Sequence, residues 1–163
     1  MAAELETEII SADSRQVYRG MDIGTGKDLA DYVINNKQIP YHLIDICDAG
    51  EKYNVYEYQH DFHLAFSEIK RRNKLPVLCG GTGLYIESVL KGYKLISVPE
   101  NAVLRKELAT KHIEELKLLL NSVSPAGNLQ PDSMKRIIRA IEIAEYTKQN
   151  PATYQEFKPL NSL

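Results

Sequence analysis

Four places in this sequence gather residues able to do chemistry. Asp13-Ser14-Arg15-Gln16 directly follows a short apolar run. A carboxylate there can act as a general base or help hold a metal, and it can equally cap the backbone that follows. Gly80-Gly81-Thr82-Gly83 follows a second apolar run. Glycines in that position let a ligand approach the backbone, and a helix starting there offers unpaired N–H groups; a plain strand-to-helix turn also uses glycine. Lys135, Arg136 and Arg139 are spaced i, i+1 and i+4. Like charges so placed on a helix repel by roughly a few tenths of a kcal/mol each, so the cluster marks either a nearby anion or a solvated basic face. Gly20 to Lys27 is the fourth place. It imitates a phosphate loop without being one, because G-x-x-x-x-G-K-[ST] would need glycine at 21 and Ser or Thr at 28, where Met21 and Asp28 stand. Its glycines allow a tight loop, with Lys27 as a candidate anion contact or a solvated lysine.

The elements that must position these residues follow from periodicity. Glu8–Ala12, Tyr41–Ile46 and Pro76–Cys79 are short apolar or alternating runs and predict strands. Between the first two lies a loop-rich stretch holding Gly20, Gly24 and Gly26. Val55–Arg72 carries apolar residues at helical spacing, and Leu84–Leu90 predicts a second helix after the glycine turn. Alternating strands and helices imply an α/β domain with a mostly parallel sheet, whose ligand crevice lies beyond the carboxyl ends of the strands. Asp13 and Gly80-Gly81-Thr82 both occupy such ends. After Pro99 the strand signals stop. Leu104 to Leu120 reads as one long amphipathic helix, Ser122–Pro131 as a loop, and Asp132 or Ser133 as the cap of a helix running to about Lys148, with Asn150-Pro151 ending it. The tail to Leu163 reads as irregular. The organisation expected is an α/β core over 1–99, a helical insert over 100–131, and a returning helix with the tail over 132–163.

Composition narrows the function classes. The formal charge is −2 and hydrophobic residues make up 44%, which fits a globular protein and leaves any nucleic-acid site to a local basic patch. Two cysteines, Cys47 and Cys79, make no disulfide framework and point to a reducing compartment. No apolar stretch approaches the length of a membrane span, and the glutamate-rich start lacks a signal-peptide core, so a cytoplasmic protein is expected. His60 and His63 lie at i, i+3 with no clear third ligand, and the clustered Tyr53, Tyr56 and Tyr58 read as packing before base stacking.

Taken in order, the motifs are specific. D-S-R-Q-V-Y-R-G-M-D-I-G-T-G-K at 13–27, H-L-I-D-I at 42–46, P-V-L-C-G-G-T-G-L-Y-I at 76–86 and R-I-I-R-A-I-E at 136–142 resemble the signatures of the tRNA dimethylallyltransferases, over about residues 5 to 150. The resemblance implies a P-loop NTPase-like parallel-sheet core with a helical insert. It implies transfer of a dimethylallyl group from dimethylallyl diphosphate to N6 of the adenosine beside a tRNA anticodon, with Mg²⁺ assisting. By position, Asp13 would be the general base, with Thr82 and Arg139 beside it in the catalytic set. Asp13, Ser14, Arg15, Gln16, Thr82, Arg105, Lys135, Arg136, Ile137, Ile138 and Arg139 would touch the tRNA anticodon stem-loop. Arg139 and Lys27 would take the diphosphate, and no metal ligand is assigned. The partners implied are tRNA and dimethylallyl diphosphate, with no membrane, and the protein is expected to be a monomer.

Departures from the family pattern leave alternatives open. Nothing before Glu8 supplies the family's phosphate loop, and the family continues past Leu163, so this stretch alone is expected to be inactive and to bind dimethylallyl diphosphate poorly. Ser124-Pro125-Ala126 replaces an acid-proline pair. An adenylate isopentenyltransferase acting on AMP or ATP, an inactive RNA-binding fragment, and a nucleoside-phosphate kinase of the same fold class are the rivals.

Overall fold

A computed structural model describes residues 1–124, 131–151 and 160. The elements run β1 (Ile9–Ser11), β2 (Val33–Ile34), β3 (Lys37–Gln38), β4 (Tyr41–His42), α1 (Val55–Arg71), β5 (Val77–Cys79), α2 (Gly83–Lys91), α3 (Ala102–Leu108), α4 (Ile113–Val123) and α5 (Met134–Gln149). They divide into two compact units, the first over Met1–Lys94 and the second beginning at Leu95.

In the first unit β1 is the central strand of a parallel sheet ordered β4-β1-β5. Ser11 sits opposite Cys79 in the ladder, so the chain leaves β1 and β5 at the same end of the sheet. That end carries Asp13 and Gly80–Thr82. Ile10 of the central strand and Ala12 just beyond its end are fully buried and meet Tyr58, Phe62, Ala65 and Ile69 of α1 and Tyr85 and Val89 of α2. Each of the large side chains among them contributes on the order of 2 kcal/mol through removal from water, which is why the 3.6-residue period of α1 is legible. At the start of α1, Asn54 Oδ1 accepts from the Tyr56 N–H while Glu57 returns a carboxylate to the Asn54 N–H, a reciprocal cap.

Two expectations change in this unit. The loop-rich stretch between β1 and β4 gains an element, because β2 and β3 form an antiparallel hairpin across Asn35-Asn36, both left-handed as a tight primed turn requires. The strand expected over Tyr41–Ile46 stops at His42. Leu43 and Asp45 take positive φ (63° and 56°), which breaks the ladder. The backbone N–H groups that follow turn to the segment after Asp13 instead: Asp45 N–H to Gln16 O at 3.0 Å and Ile46 N–H to Val17 O at 2.8 Å.

The second unit is helical. Leu108, Leu116, Leu120, Ile137, Ile138 and Ile141 form its core, with α5 packed on α4 and α3. The single helix expected over Leu104–Leu120 is two. Thr110 donates its hydroxyl back to Glu107 O, and the Glu115 carboxylate accepts from the His112 N–H, closing one helix and opening the next. The apolar step from Leu108 to Ile113 spans five residues, out of phase with helical repeats, and marks the break. Pro125 and Ala126, the loop expected beyond Ser124 as far as 130, and the tail after Pro151 apart from Leu160 lie outside the described residues. Among the described residues no helix is long and apolar enough to cross a membrane.

Candidate functional site

The ends of β1 and β5 are brought together more closely than side chains would permit. A Cβ on Gly80 would stand 2.3 Å from the Ala12 carbonyl carbon, and one on Gly81 would stand 3.3 Å from Asp13 Oδ2. Glycine at 80 is therefore a packing requirement. The Ala12 N–H donates to Cys79 O at 2.7 Å and the Thr82 N–H to Ala12 O at 2.9 Å, continuing the β1–β5 pairing past the strands.

Asp13 leaves this seam half-buried, and one carboxylate oxygen accepts from the Arg15 N–H at 2.8 Å. Among the described residues no cation pairs with it. Beside it, Thr82 occupies the position before α2 but does not cap its own helix. Its hydroxyl oxygen instead accepts from the Ser14 N–H at 2.9 Å and donates to Ser14 Oγ at 3.1 Å. Gln16 faces the glycine-rich loop. Its amide donates to Thr25 O at 3.3 Å and Gly26 O at 3.1 Å, while its carbonyl oxygen accepts from Ser11 Oγ at 2.9 Å. Ser14 and Thr82 are thus bonded to each other, Asp13 holds the Arg15 N–H, Gln16 is tied to β1 and the glycine loop, and Arg15 itself is exposed.

Lys27 is not at a free surface. Its side chain is 0% exposed, and its ammonium donates to Asp45 at 2.6 Å, Tyr18 O at 2.7 Å and Asp22 at 3.2 Å. Burial pulls its pKa down, but the hydrogen bonds to Asp45 and Asp22 outweigh that and hold it above its ordinary value. All three N–H donors are in use, so the anion contact expected of Lys27 gives way to an internal one.

The remaining expected residues lie in the helical unit. Ile137 and Ile138, expected along the tRNA, are 0% and 9% exposed, and their side chains form part of its core. They share α5 with the basic cluster but face the other way. Lys135 and Arg136 are exposed, and Arg136 pairs with Asp132 at 2.8 Å. Arg105 and Arg139 converge on Glu142, which is only 2% exposed. Arg105 grips it through Nε at 3.0 Å and Nη2 at 2.7 Å, Arg139 binds it through Nη1, and the Asn101 N–H donates to it. Arg139 also donates to Val98 O at 2.9 Å and Arg105 pairs with Glu100 at 3.0 Å. Burial works against the Glu142 charge, yet Arg105, Asn101 and Arg139 together hold its carboxyl below the usual 4.5. Glu142 lines a pocket of about 340 Å³ beside Asn101, Leu104 and Tyr146.

Glu142 and Asp45 were not expected as structural centres. The signal for both was a lone acid inside an apolar run, I-R-A-I-E-I and H-L-I-D-I, where a carboxylate must find cations or N–H groups. Among the described residues no group of three or more His, Cys, Asp or Glu side chains could hold a metal ion. His60 pairs with Asp61 at 3.1 Å, and burial beside His60 pushes the His63 pKa down.

Comparison with known proteins places this geometry in context. The family model described as IPP transferase matches residues 16–162. The tRNA dimethylallyltransferase 1 of Parabacteroides distasonis is 62% identical over 164 aligned positions, covering 100% of this chain and 53% of that protein. The full-length tRNA isopentenylpyrophosphate transferase of Bacillus halodurans, known from its crystal structure, is 38% identical with a TM-score of 0.53, over 90% of this chain and 49% of that one. A eukaryotic dimethylallyltransferase crystallised acting on tRNA has a TM-score of 0.64 at 24% identity, over 96% of this chain and 41% of that one, a likeness of fold. The fold class is the expected one: α/β, P-loop NTPase-like, with a parallel sheet. The chain spans about half the length of the curated relatives it matches.

Proposed function

Because the chain belongs to the IPP transferase family, we propose that the protein to which it contributes moves a dimethylallyl group from dimethylallyl diphosphate to N6 of the adenosine beside a tRNA anticodon. The observation that carries this reading is the placement of Asp13: a half-buried carboxylate, free of any cation among the described residues, at the glycine-lined mouth of the sheet. An exocyclic adenine amine is a weak nucleophile. It needs a base to take its proton and a fixed approach to the allylic carbon. Asp13 is the base. As the N6 lone pair bonds to the allylic carbon, the carbon–oxygen bond breaks, diphosphate departs with its electrons, and the N6 proton passes to the Asp13 carboxylate. Gly81 leaves room at that carboxylate for the extruded base, and Ser14 and Thr82 form the adjacent wall.

Of the residues expected along the RNA, Arg15, Lys135 and Arg136 are exposed cations suited to its backbone. Arg105 and Arg139 would serve RNA or diphosphate oxygens only by sharing or releasing Glu142. The described residues form no protein cage for Mg²⁺. The ion belongs to the proposal as one carried by diphosphate oxygens, where it would neutralise leaving-group charge. A cytoplasmic monomer is part of the same reading, in keeping with two free cysteines.

The test compares an anticodon stem-loop with AMP as acceptor, using the full-length protein and dimethylallyl diphosphate, with products read by mass spectrometry. Prenylated RNA is expected, and Asp13→Asn should lower kcat by about 10²–10⁴-fold. Prenylated AMP with unmodified RNA would replace this reading with the mononucleotide one, and full activity of Asp13→Asn would remove the base.

A further inference from the structure

We propose that Lys27 is a positioning residue for the Asp13–Gln16 segment, acting through a reciprocal clasp with Gln16 and Asp45; its catalytic consequence rests on the prenyl-transfer reading above. The clasp is built from two side chains that each hold the other's backbone. Gln16 donates to the carbonyls of Thr25 and Gly26, the two residues just before Lys27. Lys27 donates to the carbonyl of Tyr18, two residues after Gln16. The glycine loop and the segment after Asp13 are thereby tied at both ends.

Asp45 makes the third corner. Its carboxylate accepts from Lys27 at 2.6 Å while its own N–H donates to Gln16 O at 3.0 Å. It does so with φ of 56°, a left-handed backbone that a non-glycine residue adopts at a cost, so something must hold it there. Pairing then continues as Ile46 and Cys47 N–H to Val17 O and Arg19 N–H to Cys47 O. The loop adds its own lock, since the buried Thr25 donates its hydroxyl to Met21 O at 2.7 Å. The chain leaving Asp13 is thus held at Ser14 by Thr82 and from Gln16 to Arg19 by the clasp and the pairing that follows it.

A wholly buried ammonium in such a clasp has a different signature from a diphosphate ligand. Removing a ligand weakens substrate binding, whereas removing a positioning group misplaces the base and lowers the chemical step. Full-length protein carrying Lys27→Met is therefore read in two ways. Hydrogen exchange at the amides of Asp45, Ile46 and Cys47 should accelerate by at least about tenfold while the α1 amides stay protected. With RNA and dimethylallyl diphosphate, kcat should fall by roughly 100-fold with KM for dimethylallyl diphosphate changed by less than about twofold. Lys27→Arg, which keeps the charge, should recover part of kcat. Unchanged exchange in a folded Lys27→Met protein overturns the clasp, and a raised KM at unchanged kcat returns Lys27 to the diphosphate. If Lys27→Met does not fold, Asp45→Asn is measured instead: the same changes at smaller amplitude support the proposal, and wild-type exchange and kcat overturn it. Should the wild-type protein transfer no prenyl group at all, the functional reading fails while the exchange measurement still decides the clasp.

Discussion

The two units hold their polar residues in opposite ways. At the sheet mouth, Asp13 is kept by a backbone N–H and by the close approach of two strands, and among the described residues it has no cation against it. In the helical unit, Arg105 and Arg139 are drawn onto a carboxylate that is almost wholly buried. A half-exposed carboxylate held by neutral groups is the one that the reading proposed above uses as base. A buried one between two guanidinium groups is committed to structure, since separating the charges would leave the carboxylate unpaired in a poorly solvated place. Similar residue types, read from similar motifs, are therefore committed to architecture in the helical unit and, on the reading proposed above, to reactivity at the sheet mouth.

The largest effect expected from this contrast is at Glu142. Glu142→Ala removes the shared acceptor of Arg105, Arg139 and the Asn101 N–H, and should destabilise the helical unit by about 3–5 kcal/mol. Native-state hydrogen exchange of α5 amides would show it, and a loss below about 1 kcal/mol would mean the cluster is dispensable. The pH dependence has a definite sign. The folded carboxyl is held below its ordinary 4.5, so its contribution is fully present above that value and is lost as pH falls below it. Protection of α5 should drop over that window in the wild type and be flatter in Glu142→Ala.

Next in size, Ile137→Ala and Lys135→Ala separate the two faces of α5. Ile137 is fully buried, so its truncation should cost about 2–5 kcal/mol by denaturation while RNA affinity of the folded protein is unchanged. Exposed Lys135 should do the reverse: stability within about 0.5 kcal/mol, and a salt dependence of RNA binding shallower by about one unit. Equal effects on affinity would return Ile137 to the nucleic-acid face.

At the sheet mouth, Gly80→Ala should cost about 1–3 kcal/mol, because the new carbon meets Ala12 backbone, which has no rotamer to change. Gly83→Ala is the control. It meets nothing within 4 Å and should shift stability by less than about 1 kcal/mol. Equal thermal midpoints for the two variants would show that the seam between β1 and β5 is looser than its geometry.

How much of this was legible in the sequence differs between the units for the same reason. The α/β order, the ends of β1 and β5 and the spans of α1, α2 and α5 follow from local periodicity and glycine placement, which short segments encode. Asp13 beside Gly81 was reachable because parallel strands put their carboxyl ends together. What was not legible depends on distant partners. The burial of Lys27 follows from Asp45, eighteen residues away, and the occupation of Arg139 follows partly from Val98. Motif position puts Ile137 and Ile138 along the RNA, whereas their helical phase with Ile141 points to the core where their side chains lie. The loss of strand after His42 required knowing that Asp45 would turn left-handed toward Gln16.

The smallest effect is the most specific. Thr82 stands where a helix cap belongs, and a capping role would make Thr82→Val fray the first turn of α2. The structure directs its hydroxyl elsewhere, to the Ser14 N–H and Ser14 Oγ. Valine matches the shape of threonine and removes only those bonds, so the loss should be about 1 kcal/mol. It should appear at Ser14 and Arg15, whose amides would exchange faster, and be absent from the amides of Leu84 and Tyr85. Thr82→Ser keeps the oxygen and should restore protection at Ser14. If Thr82→Val instead exposes the start of α2 and leaves Ser14 protected, then Thr82 is an ordinary cap, and the wall beside Asp13 is held by backbone pairing alone.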